Sequence, residues 1–493
     1  MKKTRMTALL LLLSLSAAAC GEAASSPAQD TTASQTDAAY AETEAAETEP
    51  QYEADSLPET DMGGRTVNVY GWSGPSVVEF YVDEANGEIV NDAIYERNTK
   101  VEERLNIKLS YTMEPGAYDN RGSWVKKIKS SILAGDSAYD IYGGYSMAGA
   151  TMAYERLGVD LMELDYPDFD KPWWPESLIK EATCGGKLYF CSGDISTYMI
   201  YYMYATFFNK DLAESYGIES PYQMVRNGSW TLDKMIEICS GVYNDLNGDG
   251  KKGIDDQFGF TTQRIFTDNF FFASGLRTTI PGDEGLPVLS PEFGGEKTQA
   301  LVEKLVSAFK MEGLYNHDDS GTAHIPFAEG RAVFLMHEVQ TAEIRLRTSD
   351  INYGIIPSPK YDEAQSDYYG VTSFPYTLYG IPIDAPDPQQ SGIVLEALAS
   401  ESYRTVSPAL FETALKVKYA SDEDMSEMYD IIRRNNVFDI GRIFNDSMNG
   451  ATYSLFRTAI ADGKTTWIST YEKSLKSLQK NFDKVIGALT AEG

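Results

Sequence analysis

Apolar runs long enough to cross a bilayer are missing beyond the first 20 residues, since a spanning helix needs roughly 20 such residues in succession. The greasiest internal stretch, Tyr198 to Phe208 within DISTYMIYYMYATFFNKDL, is about half that length and is broken by hydroxyls. Cysteine is scarce. Beyond Cys20 only Cys184, Cys191 and Cys239 occur, an odd set that leaves at least one thiol unpaired. In CGGKLYFC the Gly185-Gly186 pair reads as a hairpin turn, which sets Cys184 opposite Lys187 or Leu188 rather than Cys191. Stability is therefore expected from core area rather than from disulfides. The three histidines, His317, His324 and His337, have no zinc-ligand spacing such as HExxH. No GxSxG elbow and no P-loop pattern occurs, and no catalytic residue is assigned. Positive charge is also short, with 42 Lys and Arg against 73 Asp and Glu for a net charge of −31. That balance argues against nucleic acid, whose phosphates need a basic surface. It also disfavours a strongly anionic ligand unless a local arginine admits one. No internal repeat is visible.

What is present begins with MKKTRMTALLLLLSLSAAACGEAASS, a basic start, a short apolar run and small residues ending at Cys20. This reads as a secretory signal over residues 1–20, too short and wrongly flanked for a permanent anchor. The run SAAAC resembles a bacterial lipoprotein lipobox, with Ala17 where leucine is usual. It implies that Cys20 is lipidated and becomes the mature N-terminus. Residues 21–60 are Ala, Ser, Thr, Glu, Asp and Pro without one basic residue, the composition of a disordered acidic tether. The expected location is the extracellular face of the cell membrane, lipid-anchored, of the Gram-positive type. Abundant tyrosine, 32 residues, leans toward a neutral, hydroxyl-rich ligand.

The remainder is long enough for two lobes. RTVNVYGWSG, IKLSYTM and YDIYGGYS read as strands separated by helical EIVNDAIYERNTKVEERLN and GSWVKKIKSSILAGD. This alternation predicts an α/β fold with a parallel sheet. Ligands of such sheets sit beyond the carboxyl ends of the strands, where Trp72 and Ser73 leave the first strand and Tyr145 and Ser146 leave the third. The tyrosine stretch has period two, which predicts a strand with Tyr198 and Tyr202 on one face.

Together with the lipobox, GKLYF, FFNKDLAESYGIESP, SWTLDKMIEIC, FAEGRAVFLM and INYGIIPSP, in this order, resemble the extracellular solute-binding proteins of ABC importers, the family of maltose- and oligosaccharide-binding proteins. The resemblance implies a two-lobe periplasmic-binding-protein-like fold, with lobes joined by crossing strands and closing over a ligand. It divides the chain into a first lobe of residues 61–203 and 351–403 and a second of 204–350 and 404–493. It further implies a monomer that hands a sugar or oligosaccharide to membrane permease subunits and is not an enzyme. Ligand-facing positions would be Trp72, Ser73, Tyr145, Ser146, Tyr198, Tyr202, Gln263, Arg264, Glu338, Gln340, Thr372, Ser373 and Phe374. Their makeup suits a sugar, which needs flat apolar faces and planar polar groups. Trp173, Trp174 and Trp230 are read as packing. Alternatives are the same fold holding a peptide or polyamine, and a glycan-binding sensory or adhesion lipoprotein. A secreted glycosidase is a third, because its paired carboxylates would be far apart in sequence.

The sharpest local motif is DLNGDGKKGIDD, which fits an EF-hand or dockerin-type Ca²⁺ loop. Asp245, Asn247 and Asp249 take positions one, three and five, the Lys251 carbonyl seven and Asp256 twelve, with Gly250 at the sharp turn. Asp in place of Glu at position twelve, and two adjacent lysines, are expected to weaken binding. The role would be structural.

Overall fold

Short apolar runs with β-branched and aromatic residues build the strands, and in chain order these are β1 Arg65–Ser73, β2 Ile107–Pro115, β3 Ile141–Tyr145, β4 Tyr204–Asn209, β5 Tyr243–Asn244, β6 Gln257–Gln263, β7 Thr279–Pro281, β8 Pro287–Leu289, β9 Leu314–His317, β10 Ala332–Glu338, β11 Tyr353–Ile356 and β12 Thr377–Gly380. The structure, a computed structural model, describes residues 52–74, 78–318, 321–411 and 423–491. The expected signal segment, Cys20 and the tether up to residue 51 lie outside the described residues.

The first sheet has the order β12-β3-β1-β2, with β1 parallel to β2 and β3, and β12 antiparallel to β3. The second has the order β11-β4-β10-β6-β5, with β9 beside β6. In it β6, β9 and β10 are parallel, while β4 runs against β10 and β11. Every residue of β3, β4, β10 and β11 is buried, as expected for strands covered on both faces, where alternation gives way to continuous apolar runs. The α/β class expected from the sequence is observed.

The tyrosine stretch differs from its expected form. The Ser196 hydroxyl accepts from the Met199 amide and starts a helical turn, Thr197–Tyr201, so the strand begins only at Tyr204. Helical spacing still places Tyr198 and Tyr202 one above the other, with the Tyr202 amide on the Tyr198 carbonyl at 3.0 Å. At the far end of β4 the Asn209 side chain accepts from Leu212 N and caps helix Lys210–Ser215. That cap explains the NKDL run.

The chain passes between the sheets twice along the same line. Met203 pairs with Thr372, the Tyr204 amide donates to Val371 O at 3.1 Å, and the Ser373 amide donates to Tyr202 O at 2.7 Å. The strand β11 pairs with β4 in the second sheet, so the return to the first sheet comes after residue 356, rather than at 351 as the sequence suggested.

The tryptophans read as packing are buried. Trp173 and Trp174 donate to the two oxygens of Glu396 at 3.1 and 2.9 Å, and Trp230 donates to Pro357 O at 2.9 Å. Cys184 bridges to Lys187 across Gly185 and Gly186, whose φ of 58° and 79° lie in the left-handed region. Cys184, Cys191 and Cys239 are free and buried.

Candidate ligand-binding site

The carboxyl ends of β1, β3 and β10 lie against the crossing segments. At the end of β1, Trp72 is 1% exposed and its indole donates to Thr377 Oγ1 at 2.8 Å. Its ring lies 5.3 Å from Tyr145, at the end of β3, and 5.2 Å from Tyr198. Tyr198 in turn lies 5.7 Å from Tyr202. These four rings form one continuous aromatic wall. Ser73 is exposed beside it and lines a cavity of about 530 Å³ together with Trp72, Tyr198 and Glu79.

Glu79, which the sequence did not single out, anchors this wall. It is fully buried, and its carboxylate accepts from Ser196 Oγ at 3.0 Å, the Tyr198 amide at 3.0 Å and Tyr379 Oη at 2.7 Å. Burial raises its pKa, and the Thr377 and Tyr379 hydroxyls, the Tyr198 amide and the Ser196 hydroxyl oppose the rise.

The second sheet supplies polar groups. Glu338, at the end of β10, accepts from Gln340 Nε2 at 2.7 Å. Burial pushes its carboxyl up to about 7 against the hydrogen-bonding pull of Gln340 and Ser373. The Tyr202 phenol is raised first by burial and then by the charge of Glu338, with the Gln340 side chain opposing. The aromatic wall thus meets the second sheet at Tyr202. Gln263, at the end of β6, and Gln340 are 5% and 6% exposed, and the Oε1 atom of each is buried without a hydrogen-bond partner. Tyr204 Oη and Asn316 Oδ1, at the same edge, are also buried and unpartnered. Buried polar groups are nearly always paired, by the chain, by water or by a ligand, so these four mark the edge as a polar one.

The crossing segment joins these parts. Ser146 Oγ donates to Phe374 O at 2.6 Å, Thr372 Oγ1 accepts from Asn436 Nδ2 at 3.0 Å, and Ser373 faces Glu338. Thr372 and Ser146 are therefore engaged within the protein. Arg264 stands exposed at the start of the turn Arg264–Phe266, where its charge reaches Asp462.

Residues that the sequence reading missed come mainly from the C-terminal helices. Tyr453 packs on Phe374 at 4.7 Å and is felt by the Tyr145 phenol. Arg442 and Arg457 both bind the buried Asp268. Arginines on otherwise apolar helix faces were the available signal, because such a side chain is rarely buried without a partner.

In the loop 245–256, Asp245 accepts from the Gly248 and Gly250 amides at 2.7 and 2.8 Å, and Asp249 accepts from Lys251 at 2.8 Å. Asn247 accepts from Asp249 at 3.0 Å. Asp256 is buried and accepts from Tyr243 Oη at 3.1 Å, Leu246 N at 3.3 Å and Gly253 N at 2.8 Å. Lys252 turns away, its ammonium on the carbonyls of Phe309, Met311 and Leu314. Among the described residues no three His, Cys, Asp or Glu side chains gather as they would around a metal.

No family model matches the chain, and no curated protein matches it. Among solved structures, a cyclo/maltodextrin-binding protein complexed with maltotetraose is similar, at 15% identity over 86% of this chain and 98% of that one, with a TM-score of 0.56. At that identity the likeness speaks for the fold: the chain has the α/β architecture of a periplasmic binding protein.

Proposed function

We propose that this protein is an extracellular substrate-binding protein of an ABC importer, lipid-anchored through Cys20, which binds a sugar or oligosaccharide and delivers it to a membrane permease. The observation that carries the reading is the site's division of labour. One edge offers a row of rings, Trp72, Tyr145, Tyr198 and Tyr202. The other offers buried planar amides whose carbonyl oxygens lack donors, Gln263 and Gln340. A sugar ring answers both, with C–H faces for the aromatics and hydroxyls for the acceptors. The solved neighbour binds maltotetraose, which adds weight to a saccharide over a peptide or polyamine. Closure of the lobes about the crossing segments 203 and 372 would favour the liganded form and present both lobes to the permease.

The loop 245–256 is a separate proposal, a structural Ca²⁺ site of Asp245, Asn247, Asp249, the Lys251 carbonyl and Asp256, whose oxygens would turn from their present amide donors to the cation while Lys252 stays aside. The carbohydrate reading is tested by calorimetric titration with saccharides, peptides and polyamines. Heat with one saccharide class, absent from a Trp72→Ala variant, is the expected result. Heat with a peptide or polyamine alone would remove the carbohydrate assignment and leave the fold.

A further inference from the structure

The C-terminal wall of the site sets two arginines on one buried carboxylate. Asp268 is fully buried, and each of its oxygens is held by an arginine: Arg442 Nε on Oδ2 at 3.0 Å and Arg457 Nε on Oδ1 at 2.8 Å. Both guanidiniums keep their proton, so two positive charges share one negative one. Two other buried acids lie near: Asp439, whose Oδ1 accepts from the Arg442 backbone amide at 2.8 Å while its Oδ2 is held by the Thr278 and Thr279 amides, and Glu338; neither pairs with a guanidinium of Arg442 or Arg457. An uncompensated buried charge is strongly unfavourable unless a counter-charge arrives.

The donors left over point to what arrives. Arg442 donates through Nη1 to Thr372 O at 2.8 Å, but its Nη2 is buried without a partner, on a side chain only 4% exposed. Arg457 hydrogen-bonds only Asp268, through Nε and Nη2, and its side chain is 15% exposed. The Tyr204 hydroxyl, buried and unpartnered, lies within the fields of Asp268, Arg457 and Arg442. Phe374 and Tyr453 hold the guanidiniums in place, with Arg442 Cζ 4.0 Å from the first ring and Arg457 Cζ 4.5 Å from the second. The same Tyr453 is felt by Tyr145 of the aromatic wall, so the cluster borders the saccharide site. A purely architectural triad would use its donors, and here Arg442 Nη2 and the Tyr204 hydroxyl are left over.

We infer that the ligand carries an oxyanion, a carboxylate or sulfate on the sugar, received by Arg457 with Arg442 Nη2 and the Tyr204 hydroxyl beside it. The inference rests on the saccharide reading and adds to it the charge of the substrate: an acidic saccharide, with hydroxyls toward Gln263 and Gln340 and its anionic group toward the arginines.

The test is calorimetric titration of the full mature chain with four probes: a neutral tetrasaccharide, a galacturonate tetrasaccharide, a sulfated tetrasaccharide and inorganic sulfate alone. One of the two acidic saccharides should bind at least about tenfold tighter than the neutral one. The gap should shrink between 50 and 200 mM salt, as expected of a charge-charge contact. Arg457→Gln should collapse the ratio of acidic to neutral affinity, and Arg457→Lys should restore part of it. The thermal midpoint of each variant monitors folding, and if Arg457→Gln does not fold, the salt dependence of the natural protein decides. Neutral saccharides binding as well as or better than acidic ones would overturn the inference and leave the saccharide reading intact. Inorganic sulfate binding as tightly as any saccharide would overturn it in favour of a simple anion site. Silence with every saccharide would end both.

Discussion

The two sheet edges that meet at the crossing segments solve different problems. The first is finished within the chain: the Trp72 indole has Thr377, Ser146 has the Phe374 carbonyl, and Glu79 has four donors. On the proposed reading, its contribution to a ligand would be shape and apolar area. The second is unfinished. Gln263, Gln340, Tyr204 and Asn316 end in buried atoms without partners. On that reading the first edge would select a ligand's outline and the second its hydrogen bonds, because an unpaired buried group discriminates more sharply than a missing methylene does.

Substitutions at the two edges should therefore fail differently. The largest expected effect is that of Asp268→Ala, which strands Arg442 and Arg457. A loss of about 3–5 kcal/mol is expected, read from urea denaturation, and a loss below about 1 kcal/mol would mean that the arginines are already solvated. Trp72→Ala at the finished edge should cost about 3–5 kcal/mol of stability through the cavity it leaves. Trp72→Phe, losing chiefly the bond to Thr377, should cost about 1 kcal/mol.

Gln263→Ala should invert that pattern. Its Oε1 has no partner to lose, so the thermal midpoint should hardly move, while saccharide affinity should fall about tenfold, or ~1.4 kcal/mol. Equal losses of stability and affinity would erase the distinction between the edges.

A smaller, pH-dependent difference is expected at Glu338, whose carboxyl burial pushes up to about 7 from 4.5. An acid with a raised folded pKa keeps a proton that the unfolded chain has released. Its contribution is complete below pH 4.5 and is lost as pH rises toward 7, at no more than about 1.4 kcal/mol per pH unit. His337 and His324, which burial pushes down to about 3 and about 4, act with the opposite sign over part of this range. The informative quantity is thus the difference between Glu338→Gln and the natural protein, with the variant gaining relative stability from pH 4.5 to 7. A difference that is flat in pH would place the Glu338 charge in solvent. The smallest effect expected is at the loop 245–256, where calcium should raise the thermal midpoint by a few degrees over EDTA and Asp245→Ala should abolish the difference.

The α/β alternation and the residues at strand ends were legible because they depend on local pattern. Trp72, Tyr145 and Glu338 stand where strands stop, and topology sends strand ends to the site. Tyr198 and Tyr202 share one side for a different reason from the one read: period two suggested a strand, and a Ser196 cap made a helical turn that kept both together. Asp268, Arg442, Arg457 and Tyr453 were not legible. They lie between 5 and 194 residues along the chain from Gln263, and only tertiary packing brings the three C-terminal ones to the crossing segment. Nor does spacing say which buried amide lacks a donor, since that depends on every neighbour in space.

The central claim, that the two edges together hold a saccharide, is tested most directly by the thermal unfolding of the mature protein against neutral and acidic oligosaccharides, peptides and polyamines. At about 100 times its Kd, a true ligand adds about 2.7 kcal/mol to the folded state. The account predicts a shifted midpoint with a saccharide, lost in Trp72→Ala and about halved in Gln263→Ala. No shift with any saccharide, together with one from a peptide or polyamine, would contradict it.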